Sequence, residues 1–383
     1  MSNNFTTALR VEIKRSTRNA YSDNWDEDER GPEPAERGYP AFRRLGAPFR
    51  AIYRAIYRHI KPYAADVLHF LFPTRTYLRN TKRFLGIEYL YCRLADDTSK
   101  QLLVQIMAYR LMGHRKVKLA RNDGTLWSNV ERVDRLPVSG TDIDVDFQNL
   151  KLPLRDLTGL GFDLRCYCTS RGASCVFIQK QYEFNRDGII CKAEKGDVAI
   201  DAGGCWGDTA LYFAHEVGET GKVYCYEFVP SNLAVLEKNL AANINLSSRI
   251  TVIPQPLWEH SDRVLYYVDW GPGSRASFKK LRADFEDTKC TTTTIDDTVA
   301  ANGIDKIDFI KMDIEGAELN ALRGAEKSLR RFCPKLAISL YHSLEDFETI
   351  PRYIDSLNLN YDFYLEHHTI YENETVLFCM PKH

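Results

Sequence analysis

Three short stretches of this chain place reactive residue types where a strand would hand over to a loop or helix. The first is DAGGCWGDTAL, residues 201–211, an acidic residue followed by a turn with Gly203, Gly204 and Gly207. Glycines there let the backbone approach a ligand closely, and a helix opening at Asp208 and Thr209 offers unpaired N–H groups. The spacing is not the G-x-G-x-x-G of a dinucleotide site, and the Asp201 carboxylate would oppose a pyrophosphate. A carboxylate at that point suits a cationic group such as an amino-acid ammonium.

The second stretch is YCYEFVPSN, residues 224–232, in which Glu227 closes the next strand. A carboxylate there accepts both hydroxyls of a ribose. Asp201 and Glu227 together describe a ligand with an amino acid at one end and an adenosine at the other, and S-adenosylmethionine is such a ligand. The third stretch is KMDIEGAE, residues 311–318, with Asp313 and Glu315 at a strand end and Gly316 opening a helix. Ligands of doubly wound sheets bind outside the carboxyl ends of the strands, which puts both carboxylates at the mouth of the cleft. Methyl transfer to a hydroxyl needs in-line approach and removal of the hydroxyl proton. Asp313 and Glu315 are candidates for that task, as are His342, His367 and His368 at two further strand ends, because imidazole titrates at about pH 6.5. A divalent metal held by these carboxylates and imidazoles is the alternative. No ligand spacing demands one, so no metal is assigned.

The elements that would position these groups begin after Lys195, where apolar runs alternate with helical stretches. DVAIDA, KVYCYEF, ITVIPQ, IDFIKMDI, KLAISLYH, YDFYLEHH and TVLFCM read as seven strands. Alternation of this kind predicts an α/β fold, a doubly wound and mostly parallel sheet. The loop before TVLFCM is too short for a crossover helix, so the last strand should run antiparallel.

Here the sequence resembles the FkbM-type methyltransferases, a branch of the class I, Rossmann-like fold that uses S-adenosylmethionine. KGDVAIDAGGCWGDTALYFA, GKVYCYEFVPSN, TTIDDTVAANGIDKIDFIKMDIEGAELNALRGA and the closing LYH, LEHH and ETVLF carry the resemblance over about residues 180–383. SKQLLVQIMAYRL is similar to the helical lead-in of longer members, and the first 75 residues or so carry none of it. The resemblance implies that Asp201, Gly203 and Gly207 form the cofactor loop, that Glu227 holds the ribose and that Trp258 lines the adenine pocket. It implies an O-methyltransferase whose acceptor is a small molecule or glycan hydroxyl, on a sugar, a polysaccharide or a natural product. The competing readings are a nicotinamide-dependent oxidoreductase, an RNA methyltransferase and a non-catalytic binding module.

Ahead of this domain, residues 1–40 read as a weakly ordered tail, with an acidic run at 26–29 and then Gly31, Pro32 and Pro34. Residues 41–185 read as a mainly helical or mixed region, and 186–383 as the cofactor-binding domain. From Arg37 to Lys61 no acidic residue occurs, and Ile52, Ile56 and Ile60 form a helical stripe beside Arg50, Arg54 and Arg58. This basic amphipathic helix is expected to pack on the protein's own body; its other readings are contact with an anionic membrane surface, RNA or an acidic partner.

Composition limits the rest. Lys plus Arg total 51 against 52 acidic residues in 383, which excludes a globally basic nucleic-acid binder. No apolar run reaches the roughly 20 residues of a membrane span, and the first residues lack the apolar core of a secretory signal, so a cytoplasmic location is expected. The cysteines are scattered, and Cys166, Cys168 and Cys175 have no Cys-x-x-Cys spacing; buried free thiols are expected rather than disulfides or zinc.

Overall fold

The structure, a computed structural model, describes residues 4–21, 84, 86–279 and 288–382. The basic amphipathic segment at 41–61 lies outside them. Seven strands form the central sheet: β1 (Val198–Ala202), β2 (Lys222–Tyr226), β3 (Ile250–Ile253), β4 (Phe309–Met312), β5 (Lys335–Ser339), β6 (Tyr361–His367) and β7 (Thr375–Pro381). Their order is β6-β7-β5-β4-β1-β2-β3. Every pairing is parallel except those of β7, which runs antiparallel between β5 and β6.

The strands are near-continuous apolar runs because both faces of the sheet are covered. Ile200, Ile310, Ile338, Leu365 and Leu377 pack into one layer. Ala199, Phe309, Ala337, Val376 and Phe378 pack into the other, where α2 (Asp208–Val217) brings Leu211 and Phe213. After β2, α3 (Pro230–Ala241) starts with proline at its first position, where the missing N–H costs no helical bond. Asn239 on that helix and Asn243 just beyond its end bond the backbone of the strand Arg165–Tyr167, whose N–H groups would otherwise be unpaired. That strand belongs to an antiparallel sheet with Val138–Val145 and Leu150–Asp156, which forms the mixed region ahead of the main sheet.

The expected tail at the start is corrected in part. Residues Phe5–Ser16 form α1, with Phe5, Leu9 and Ile13 buried in the core. Three apolar residues four apart make a stripe narrow enough to disappear in a polar composition, yet sufficient to dock a three-turn helix. The Glu88 carboxylate accepts from the N–H groups of Phe5 and Thr6 at 3.1 and 3.2 Å, satisfying the start of the helix from outside. All ten cysteines are free thiols. Among the described residues no helix is long and apolar enough to cross a membrane.

Candidate active site

The carboxyl ends of β1, β2, β4 and β5, with the turn entering β7, surround a cleft of about 350 Å³. That is within the usual range for a small-molecule site. At the end of β1 the chain turns through Gly203, whose φ is 86°. A Cβ on this residue would lie 1.9 Å from the Asp313 carbonyl oxygen, so only glycine lets the loops after β1 and β4 meet. Gly204 is equally confined, its Cβ position being 2.1 Å from Cys225 Sγ. Gly203→Ala is therefore expected to lose about 1–3 kcal/mol from the backbone alone and more from the clash, read as a lower urea midpoint.

Asp201 does not face the cleft, which corrects the sequence expectation. It is fully buried, with Oδ1 2.9 Å from Lys311 Nζ and Oδ2 accepting from Thr209 Oγ1 at 2.7 Å. The register explains this: Asp201 on β1 sits directly beside Lys311 on β4, on the same face. The Lys311 ammonium also donates to the carbonyls of Ala202 and Gly203, at 3.1 and 2.7 Å. Burial pushes its pKa down, but Asp201 and Asp313 outweigh that and hold the amine charged. Asp201 thus shapes the glycine loop after β1 through Lys311. Thr209 is turned inward onto Asp201, and Asp208 accepts from the Thr209 N–H. Gly204, Gly207, Asp208 and Thr209 lie behind the cleft wall, whereas Gly203, Glu227, Trp258 and Asp313 line it.

At the β2 end, Glu227 is 7% exposed and accepts from the N–H groups of Phe228 and Val229 at 2.6 and 2.7 Å, and from Asn232 Nδ2 at 3.1 Å. Burial pushes its pKa up to about 7 against the pull of these donors. The other amide atom of Asn232, Oδ1, is buried at the cleft with no hydrogen-bond partner. Trp258 packs edge-on to Phe278, with centroids 5.1 Å apart. Leu265, Pro272 and Ala276, from the segment after β3, complete this wall.

The β4 end is acidic. Asp313 accepts from Tyr182 at 2.8 Å and Tyr341 at 2.9 Å, one phenol on each carboxylate oxygen. Glu315 has φ 56°, and Gly316 follows at φ 93°, which curls the chain back so that Glu315 lines the cleft beside Asp313. His342, after β5, lies between them: Nε2 is 3.3 Å from Asp313 and 3.8 Å from Glu315, and Nδ1 is 3.0 Å from Glu318. Burial lowers its pKa, but Glu318, Asp313 and Glu315 overcome this and lift it to about 9. Glu374, at the entrance of β7, also lines the cleft, and burial followed by the charge of Asp313 pushes its carboxyl up to about 7.

His367 and His368, expected at the substrate edge, are 3% and 1% exposed and do not line the cleft. The reason is their strand: β6 is the sheet edge, separated from β4 by β7 and β5. His367 Nδ1 is 2.9 Å from Thr375 Oγ1, and burial pushes its pKa down to about 3 and that of His368 well below the usual value. Both are neutral packing groups. Conversely, Lys311, Tyr182, Tyr341, Glu318 and Glu374 belong to the site or its support and were not singled out from sequence. Lys311 carried a usable signal, a lone charge inside an otherwise apolar central strand.

Residues 191–363 match the family model described as the methyltransferase FkbM domain. No curated protein matches the sequence. Among solved structures, the FkbM methyltransferase of Methylobacillus flagellatus is 23% identical, with a TM-score of 0.49 over 79% of this chain and 60% of that one. Aeropyrum pernix fibrillarin, with natively bound S-adenosylmethionine, is 10% identical, with a TM-score of 0.36 over 64% of this chain and 100% of that one. A Thermotoga maritima S-adenosylmethionine-dependent O-methyltransferase is 12% identical, with a TM-score of 0.33 over 63% of this chain and 86% of that one. This chain thus spans about 60% of the length of the Methylobacillus protein. The seven-stranded sheet, with its last strand reversed and inserted beside β5, is the class I methyltransferase fold, and residues 191–363, which hold most of it, are similar to the methyltransferase FkbM domain.

Proposed function

We propose that this chain is an S-adenosylmethionine-dependent O-methyltransferase acting on a hydroxyl of a sugar, a polysaccharide or a natural product. The observation that carries the reading is the polarity of this cleft, with a ribose-type carboxylate, Glu227, at one end and the carboxylates Asp313, Glu315 and Glu374 at the other. The residues present fit the cofactor. Asn232 Oδ1 is an orphaned acceptor beside Glu227, and the close approach of Gly203 to Asp313 keeps side chains out of the space between the two ends. When bound, S-adenosylmethionine supplies an electrophilic methyl group: the carbon–oxygen bond forms as the sulfur–carbon bond breaks, leaving a neutral thioether.

The protein's own task is then to hold the acceptor oxygen in line and take its proton. Asp313 is held by two phenols, one on each carboxylate oxygen, which fixes it as an anchor for the hydroxyl. Glu374 lines the same cleft without such donors on both oxygens, and its raised pKa suits a proton acceptor near neutral pH. The strand Val264–Val268, paired antiparallel with Thr288–Thr291, brings Leu265 to the wall beside Glu227 and Trp258.

Calorimetric titration with S-adenosylhomocysteine, followed by labelled-methyl transfer to a panel of sugars and polyketide alcohols, tests the reading. Binding of the adenosyl compound and methylation at oxygen are expected. Binding of NAD(H) instead would refute it. In Glu374→Gln, turnover is expected to fall about 100-fold, the lower range for loss of a general base, while S-adenosylhomocysteine affinity stays the same.

A further inference from the structure

We infer a divalent-cation site at the acceptor end of the cleft, formed by Nε2 of His342 and one carboxylate oxygen each of Asp313 and Glu315. The cation's role rests on the methyl-transfer reading; its binding site does not. Glu318 holds the Nδ1 side of the ring at 3.0 Å, which turns Nε2 toward Asp313 Oδ1 at 3.3 Å and Glu315 Oε1 at 3.8 Å. Two ligand atoms bound at about 2.1 Å and at right angles to one cation stand about 3.0 Å apart, so a small side-chain shift converts this cluster into a coordination shell. A carboxylate behind the imidazole is the usual device for fixing a ligating histidine's tautomer.

Two further observations point to a missing ligand rather than a finished ion-pair network. The His342 side chain is 8% exposed, yet neither ring nitrogen makes a hydrogen bond of good geometry. Glu318 is 1% exposed, and its Oε2 has no hydrogen-bond partner. Asp313, Glu315 and Glu318 bring three carboxylates to one imidazole. The nearby Lys311 ammonium is engaged by Asp201 and two carbonyls. One imidazolium answers one of those charges, and a divalent cation answers two. Two carboxylate oxygens with one imidazole suit Mn²⁺ or Mg²⁺. Asp313 and Glu315 line the cleft, so the open side of the cation faces the acceptor, where it would bind the hydroxyl oxygen and ease loss of its proton to Glu374. The ligands come from two strand ends 29 positions apart at most, and no sequence spacing advertises them.

The test uses the full chain after chelation and dialysis, titrated with MnCl₂ and followed by the electron paramagnetic resonance of free Mn²⁺. One Mn²⁺ per chain is expected. Glu315→Gln, a surface substitution that leaves the unfolding midpoint in place, and His342→Asn should each weaken binding at least about tenfold. Absence of Mn²⁺ binding into the millimolar range, or equal binding in both variants, overturns the site. Methyl transfer undiminished by EDTA overturns the cation's role. S-adenosylhomocysteine binding is measured in parallel: protein that takes Mn²⁺ through these residues but not the adenosyl ligand keeps the site and loses the methyltransferase reading, and the reverse pattern loses only the site.

Discussion

Asp201→Ala is expected to destabilise the fold by roughly 3–5 kcal/mol, the cost of leaving one partner of a buried ion pair uncompensated. Lys311 is 1% exposed, and without the carboxylate its ammonium keeps only the carbonyls of Ala202 and Gly203. With only Asp313 left to oppose burial, its pKa would fall, and the amine would lose its proton or draw water into the sheet. The double variant Asp201→Ala/Lys311→Met should recover most of the loss, because an apolar pair in place of a buried ion pair is often close to neutral. It should not recover cofactor affinity, since the donors to the Gly203 carbonyl are gone and the loop is no longer fixed. Urea unfolding of the wild type and the variants, with S-adenosylhomocysteine titrations alongside, separates these effects. An Asp201→Ala protein with a wild-type urea midpoint would remove the ion pair from any structural role, and a double variant with normal affinity would remove it from the loop.

This pair also shows what a sequence conveys and where it stops. The acidic residue before the glycine turn was legible, as were the seven strands, because parallel strands covered on both faces announce themselves as apolar runs. The partner of Asp201 was not legible, because it depends on the register of β1 against β4, which are more than 100 positions apart in the chain. Glu227 and Asp313 follow from strand-end logic and do line the cleft. The same logic failed for His367 and His368, since only the sheet order reveals that β6 is the outer strand. Tyr182, Tyr341 and Glu374 converge on Asp313 or its cleft from three separate segments, and a phenol or carboxylate in isolation carries no local pattern. The α1 helix was missed for the opposite reason: its pattern is local but minimal, a stripe of three buried apolar residues, Phe5, Leu9 and Ile13, in a polar stretch.

Glu227→Gln should uncouple stability from binding. The Glu227 carboxyl has its pKa raised to about 7 by burial, from 4.5 in the unfolded chain. A raised carboxyl pKa favours the folded state fully below about pH 4.5, and that advantage is lost as pH rises through about 7. The ligand-free wild type therefore carries a buried charge at pH 8 at a cost of about 3 kcal/mol, which glutamine removes. The amide can be accommodated, because Asn232 Oδ1 lacks a partner and a flip of that side chain offers it to the new N–H. The ligand-free variant is expected to melt a few degrees above wild type at pH 8 and level with it at pH 4, as differential scanning calorimetry would show. Binding should move the other way, because hydrogen bonds from ribose hydroxyls to a charged acceptor are worth about 1.5–3 kcal/mol, or about 10- to 150-fold in affinity. In the wild type, affinity for S-adenosylhomocysteine should also fall as pH drops below about 7, whereas in the variant it should be flat over that range. An unchanged dissociation constant in the variant would take Glu227 out of the ribose contact; lower stability at pH 8 would mean that its charge is compensated by groups other than Phe228, Val229 and Asn232. The two results together would mean that the cleft holds a carboxylate at a cost in stability that a ligand recovers on binding, which is what distinguishes a site from packing.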